Sequence, residues 1–135
     1  MLLQPHTVSA QGKVMLVGLD RDQILERRFH AANWQVVTLL ESQSALDLAR
    51  RERFDLAVMI VKGSLINIAE MIFNLRDINR SMEIVILVDR LGGHASRLLR
   101  QLIEHPLERT RILTRRQLQR QIHRFFPQAP PGAMV

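Results

Sequence analysis

The feature that most constrains this chain is a repeated alternation of short apolar runs with amphipathic segments. KVMLVGL at 13–19, WQVVTLL at 34–40, DLAVMIV at 55–61 and EIVILV at 83–88 are nearly continuous in apolar residues and rich in β-branched ones. That is the pattern of strands buried on both faces, because a strand with one wet face would alternate polar and apolar residues. A shorter run at 111–114, RILT, supplies a fifth.

Each run is followed by a helical pattern. Asp20 stands three residues before Gln23, the spacing of a capping box, and Ile24, Leu25 and Phe29 then share one face of a helix through about Ala32. Asn33 suits a left-handed stop. Ser42 or Ser44 opens a second helix carrying Ala45, Leu46 and Ala49, and Ile68, Ile72 and Leu75 mark a third that ends near Asn79. A Gly-rich break at 91–93 precedes a fourth over 94–105, and a last helix turns Leu118, Ile122 and Phe125 inward. Parallel neighbours need crossover connections, and right-handed crossovers place helices on both sheet faces. The expected fold is therefore α/β: a flavodoxin-like (βα)5 three-layer sandwich with a parallel five-stranded sheet in the order 2-1-3-4-5 and the third strand central.

A chain of 135 residues makes one domain of ordinary size. Residues 12–126 are expected to form it, with 1–11 a disordered lead-in and the Pro-rich 127–135 a tail or the start of a linker. The absence of Cys excludes disulfide frameworks, thiolate zinc sites and cysteine nucleophiles. No apolar run approaches the roughly 20 residues that span a bilayer, and the first residues lack the basic and apolar regions of a signal peptide. A cytoplasmic domain with no membrane contact is expected.

Ligands of open α/β sheets sit at the carboxyl ends of the strands. Here those ends read Gly18-Leu19-Asp20, Ile60-Val61-Lys62, Val88-Asp89-Arg90 and Thr114-Arg115, which is mostly an apolar rim. No glycine-rich phosphate loop stands between a strand and a helix.

Over residues 12–126 the order and spacing resemble the receiver domain of bacterial response regulators. KVMLVGLDRDQ is similar to its first strand and loop, NWQVVTLLESQSALDLARRERFDLAVMIV to its second strand through the third, and EIVILVDR to its fourth. The resemblance implies that the paired acids holding Mg²⁺ fall on Gly18 and Leu19, the phosphoaccepting Asp on Ile60, the hydroxyl residue on Val88 and the signalling Lys on Arg115. All five positions are changed. A hard dication needs oxygen ligands and phosphoryl transfer needs a nucleophile, and Gly, Leu, Ile and Val side chains offer neither. A slip of one or two residues would bring Asp20 and Asp22 nearer the acidic positions, but no Asp, Glu, Ser, Thr or His lies between Leu56 and Gly63, so the acceptor stays absent. Asp20 and Asp22 read as helix caps. The resemblance then implies a degenerate pseudo-receiver, not an enzyme, with no catalytic residue, metal or cofactor.

The remaining candidates are few. His94 reads as a loop or helix-start residue, His30, His105 and His123 show no metal spacing, and Trp34 reads as edge packing. Charge is more informative. Residues 1–89 hold 10 basic and 11 acidic side chains, whereas from residue 90 onward 9 Arg face only Glu104 and Glu108, so the whole excess of the +6 net charge lies in the last third. Arg97, Arg100, Arg109, Arg111, Arg115, Arg116, Arg120 and Arg124, with Leu98 and Leu102, fall on the 94–105 helix, the fifth strand and the last helix, one edge of the expected sheet. Three readings of that edge stand: a solvated face, a surface for an acidic protein or a second copy of the chain, and a phosphate footprint. The expected function is phosphorylation-independent signalling through protein–protein contact, including homodimerisation, in bacterial signal transduction or transcription regulation. The alternative is a small basic nucleic-acid-binding regulator.

Overall fold

The computed structural model describes residues 12–18, 20–61, 68–89 and 109–124. In chain order these form β1 (Gly12–Val17), α1 (Gln23–Ala31), β2 (Trp34–Leu39), α2 (Ser42–Arg51), β3 (Leu56–Ile60), α3 (Ile68–Ile78), β4 (Glu83–Val88), β5 (Thr110–Thr114) and α4 (Arg115–Gln121), followed by a 3₁₀ turn, Ile122–Arg124. The five strands form one sheet in the order β2-β1-β3-β4-β5, with every pair parallel. Thus β3 is central and the expected α/β topology is the observed one. Leu19, the expected helix over 94–105 with Arg97, Leu98, Arg100 and Leu102, Phe125 and both terminal segments lie outside the described residues.

Alternation along the strands divides the core in two. Met15, Val17, Ala57, Met59, Ile84 and Ile86 face α2 and α3, whose Ala45, Leu46, Ile72 and Leu75 cover them. Val14, Leu16, Leu56, Val58, Val85 and Leu87 face the other way, under Leu25 and Phe29 of α1 and Leu118 of α4, with Ile122 beyond. Because both faces are covered, the inner strands carry apolar residues at successive positions. Trp34 starts edge strand β2 yet turns inward, with its ring edge-on to Phe29 at 5.7 Å.

Local boundaries correct several expectations. The cap of α1 is Asp22, not Asp20: its Oδ1 accepts from the Leu25 N–H at 3.0 Å. With the helix phased on Leu25 and Phe29, Ile24 sits about 100° round the helix from Leu25 and is 60% exposed rather than inward. Asn33 adopts the left-handed conformation, φ 67°, and ends the helical segment as expected. Neither Ser42 nor Ser44 caps α2; Glu41 holds the cap position and its side chain makes no capping bond. The strand expected from 55 begins one residue later, at Leu56; Asp55 itself is tied to both neighbours, its N–H donating to the Lys13 carbonyl at 2.9 Å, its carbonyl accepting the Glu83 N–H at 3.0 Å and its carboxylate accepting the Lys13 N–H at 2.9 Å.

The amino ends of the strands are densely tied by polar side chains. Lys13 pairs with Glu52 and lies 4.9 Å from the Phe54 ring centre. Arg76, near the end of α3, donates to the Met82 carbonyl, to the Arg109 carbonyl at 2.7 Å and to the Thr110 hydroxyl at 3.3 Å, so one guanidinium joins α3 to the starts of β4 and β5. Glu83 pairs with Arg109 at 3.5 Å. Among the described residues no helix is long and apolar enough to cross a membrane.

Candidate functional site

The candidate site is the crevice at the carboxyl ends of the strands, and its centre is apolar. Gly18 follows β1, with its N–H on the Leu39 carbonyl at 3.1 Å. A Cβ placed on Gly18 would lie 3.1 Å from the Cβ of Ile60, the last residue of β3. Ile60 thus stands against the bare backbone of residue 18, and a side chain on either one crowds the other. Val88, ending β4, is buried in the core on the α2–α3 face. The Val61 N–H bonds the Leu87 carbonyl at 3.0 Å, which keeps the ends of β3 and β4 in step.

Beside this centre lies a cleft of about 420 Å³ lined by Asp20, Arg21, Asp22, Gln23, Ile24, Ile60 and Arg115. Two of its charges, Asp22 and Arg115, are spent on one another. Arg115 Nη2 lies 2.6 Å from Asp22 Oδ2, while the other oxygen of that carboxylate caps α1. Two strands, β3 and β4, stand between β1 and β5, a spread of roughly 14 Å at the usual strand spacing. Asp22 at the start of α1 and Arg115 at the start of α4 nevertheless meet, because both helices cover the same face of the sheet. Arg115 starts from a fixed base, because Thr114 and Gln117 form a reciprocal capping box: Oγ1 of Thr114 accepts the Gln117 N–H at 3.3 Å and Oε1 of Gln117 accepts the Thr114 N–H at 2.8 Å.

On the β2 flank a second cluster surrounds Glu26, the one buried charged residue among those described. Both its oxygens accept from Arg21 Nε, at 3.0 and 2.9 Å, and one also accepts the Thr38 hydroxyl at 2.7 Å. The Arg21 hydrogen bonds hold the Glu26 carboxyl below the usual carboxylate range against the opposing pull of burial, with the Thr38 hydroxyl reinforcing them.

The structure therefore brings Gly18, Ile60 and Arg115 to one crevice, with Val88 at the end of the neighbouring strand. It divides the expected arginine edge. Arg115 turns into the cleft and Arg109 pairs with Glu83 at the opposite end of the sheet, whereas Arg111, Arg116, Arg120 and Arg124 are exposed. Arg111 reaches Gln121 Oε1 at 3.4 Å. His30 is exposed, as a solvated helix face requires. Among the described residues no three His, Cys, Asp or Glu side chains are grouped to hold a metal ion. The sequence reading missed the Asp22–Arg115 bridge and the buried Glu26 cluster.

No family model matches the sequence. No curated protein matches it either. Solved structures do. The chemotaxis protein CheY4 of Vibrio cholerae superposes with a TM-score of 0.67 at 18% identity, covering 87% of this chain and 99% of that one. The receiver domain of the sensor histidine kinase PA1611 of Pseudomonas aeruginosa, with a magnesium ion coordinated in its active-site cleft, gives 0.65 at 16% identity over 84% and 96%. The non-phosphorylated HemR receiver domain of Leptospira biflexa gives 0.63 at 18% identity over 88% and 97%. These likenesses establish that the chain has the receiver fold.

Proposed function

We propose that residues 12–126 form a phosphorylation-independent receiver-like domain that signals by protein contact, in bacterial signal transduction or transcription regulation. The observation that carries the reading is the contact of Ile60 with the bare backbone of Gly18, at the two positions where the resemblance puts the acceptor carboxylate and a metal-holding acid. The side chains there do not fit a magnesium ion. Gly18, Ile60 and Val88 contribute no side-chain oxygen, and Asp22 already holds a guanidinium and a helix N-terminus. Arg115, at the position of the signalling Lys, is engaged by Asp22, so its guanidinium is held by one of the protein's own carboxylates. The domain is then an adaptor or a regulatory module whose output surface needs no phosphoryl group to set it.

That surface is the remaining arginine face of β5 and α4. Arg111, Arg116, Arg120 and Arg124 are exposed, and residues 109–124 contain no Asp or Glu. A single-signed face of this kind attracts an acidic protein surface and steers its approach. The same feature favours nucleic acid as the second reading, and a filter-binding titration tests it directly: appreciable affinity that falls linearly in log salt would favour that reading.

The direct test is amide NMR with Mg²⁺ and beryllofluoride. The expected spectrum shows no saturable shift; saturable shifts at Ile60 and Val88 would overturn the reading.

A further inference from the structure

Among the described residues, clefts lined by arginines stand at both ends of the sheet, and they differ in what holds the guanidinium groups. At the strand carboxyl ends Arg115 is held by Asp22 and Arg21 by Glu26. The second cleft, about 350 Å³, lies at the amino end, where the last turn of α2 and the residues leading into β3 meet the end of α3. Arg50, Arg51 and Arg53 line it, and Glu52, the acid on its walls, is already taken by Lys13. Arg50 pairs with Asp47 at 3.1 Å, but both side chains are more than half exposed, so water competes for that pair. Arg51 reaches only the Asp47 carbonyl, through Nε at 3.4 Å, and Arg53 has no hydrogen-bond or ion-pair partner among the described residues.

A cation beside a helix C-terminus needs no ligand to explain it, and Arg50 and Arg51 stand in the last turn of α2. Arg53 is different. The C-cap Glu52 is already extended, φ −134° and ψ 148°, so Arg53 lies past the helix. The cleft is also built on a fixed frame. Asn79 Nδ2 donates to the Phe54 carbonyl at 3.3 Å, and its Oδ1 accepts the Ser81 N–H at 3.0 Å and the Ser81 hydroxyl at 2.8 Å, which ties the chain after Arg53 to the turn after α3.

We propose that this amino-end cleft binds the phosphate group of a small phosphorylated molecule. Guanidinium groups bond phosphate oxygens through paired N–H donors at fixed spacing, and the bonds are charge-assisted. Arg51 and Arg53 stand on helical and on extended backbone, to either side of the C-cap. A tetrahedral, doubly charged group offers oxygens to both, whereas a carboxylate offers one flat edge. The size of the cleft is at the small end for a ligand pocket, which suits a pyrophosphate or a compact phosphorylated metabolite. Ala49 and Ile78, also on its walls, give apolar contact to a carbon skeleton. The arginine face of β5 and α4 is a separate feature, and neither Arg51 nor Arg53 belongs to it.

The test is an amide NMR titration of the whole chain with inorganic pyrophosphate, without Mg²⁺, in about 0.15 M salt so that diffuse attraction is screened. Saturable shifts are expected at Glu52, Arg53, Asn79 and Ser81, half-complete below about 1 mM. Arg53→Gln and Arg51→Gln each weaken binding at least about fivefold, and Arg53→Lys, which keeps the charge and loses the paired donors, recovers only part of it. Arg116→Gln, on the separate arginine face, leaves the affinity as it was. The positions changed are solvent-exposed, so far-UV circular dichroism stays unchanged. The absence of saturable shifts, citrate binding as tightly as pyrophosphate, shifts spread over every arginine-bearing surface, or an affinity indifferent to Arg53→Gln would overturn the assignment. So would a DNA duplex or an acidic peptide that binds at this cleft when pyrophosphate does not. The amides watched lie at the opposite end of the sheet from Ile60 and Val88, so this proposal and the one tested with beryllofluoride fail separately.

Discussion

The two ends of the sheet use similar residues in opposite ways. At the amino end, beside the Lys13–Glu52 and Glu83–Arg109 pairs, charged side chains serve the backbone: Asp55 accepts the Lys13 N–H, and Arg76 donates to carbonyls of the α3–β4 turn and of the approach to β5. At the carboxyl end they serve one another, as Asp22 with Arg115 and Glu26 with Arg21, and the strand termini between them are left to Gly18, Ile60 and Val88. The difference teaches where the fold is held and where it is exposed. Backbone groups at strand starts must be satisfied, so that end is a structural clasp. The other end, which in open α/β sheets carries the ligand, is here a charge-compensated apolar rim.

The comparison predicts unequal costs of mutation. The largest falls at the clasp. Arg76→Met removes bonds to three carbonyls and a hydroxyl, those to the Met82 carbonyl and the Thr110 hydroxyl being partly buried, and should destabilise the domain by about 3 kcal/mol in urea unfolding. A loss below about 1 kcal/mol there would break the contrast. Next comes Asp22→Ala, which removes both a helix cap and the partner of Arg115 and should cost about 2 kcal/mol. Asp22→Asn keeps an N-cap acceptor and should cost about half as much, so the two variants apportion the cap and the bridge.

Gly18→Ala should cost about 1 kcal/mol, because the new methyl meets the Ile60 Cβ at 3.1 Å and the neighbouring strand must give way. A neutral or stabilising Gly18→Ala would show that the two strand ends are not in tight contact. Smaller still, Lys13→Met should cost about 0.5 kcal/mol, since the Glu52 partner is largely exposed and the aliphatic stem over Phe54 is retained.

The smallest effect is read in pH. Glu26 titrates below the usual carboxylate range when folded, so its contribution is fully present above about pH 4.3 and is lost as pH falls through the folded value. Glu26→Gln should flatten the acid limb of a thermal-melting profile below about pH 4 and leave its shape at neutral pH unchanged. Arg21 is 65% exposed and solvent screens its pairing, so the change is one of slope more than of overall stability.

How much of this was legible beforehand depended on range. The strands were, because burial on both faces imprints a continuous apolar run that needs no partner to be recognised: β4 was expected at 83–88 and is there, and the strand order followed from crossover geometry. Caps were less so. Asp20 and Asp22 both have the chemistry of a cap, and only the phase of Leu25 and Phe29 against the sheet selects Asp22. Glu26 carries no local sign of burial, since its partners lie five residues back and twelve residues on, across the α1–β2 turn. Asp22 and Arg115 are 93 positions apart, and periodicity holds no information about which side chains meet between two helices that far apart in the chain. The candidate positions could be named by resemblance, but which of them touch could not.

Thr114 ends β5 and caps α4, so strand and helix share a residue with no hinge between them. They form a crank. A rotation of the helix moves Arg115 and Arg120 together, because no loop lies between strand and helix to absorb the motion. Any grafting or circular permutation of this domain should spare that junction, since a cut there severs the lever from its pivot.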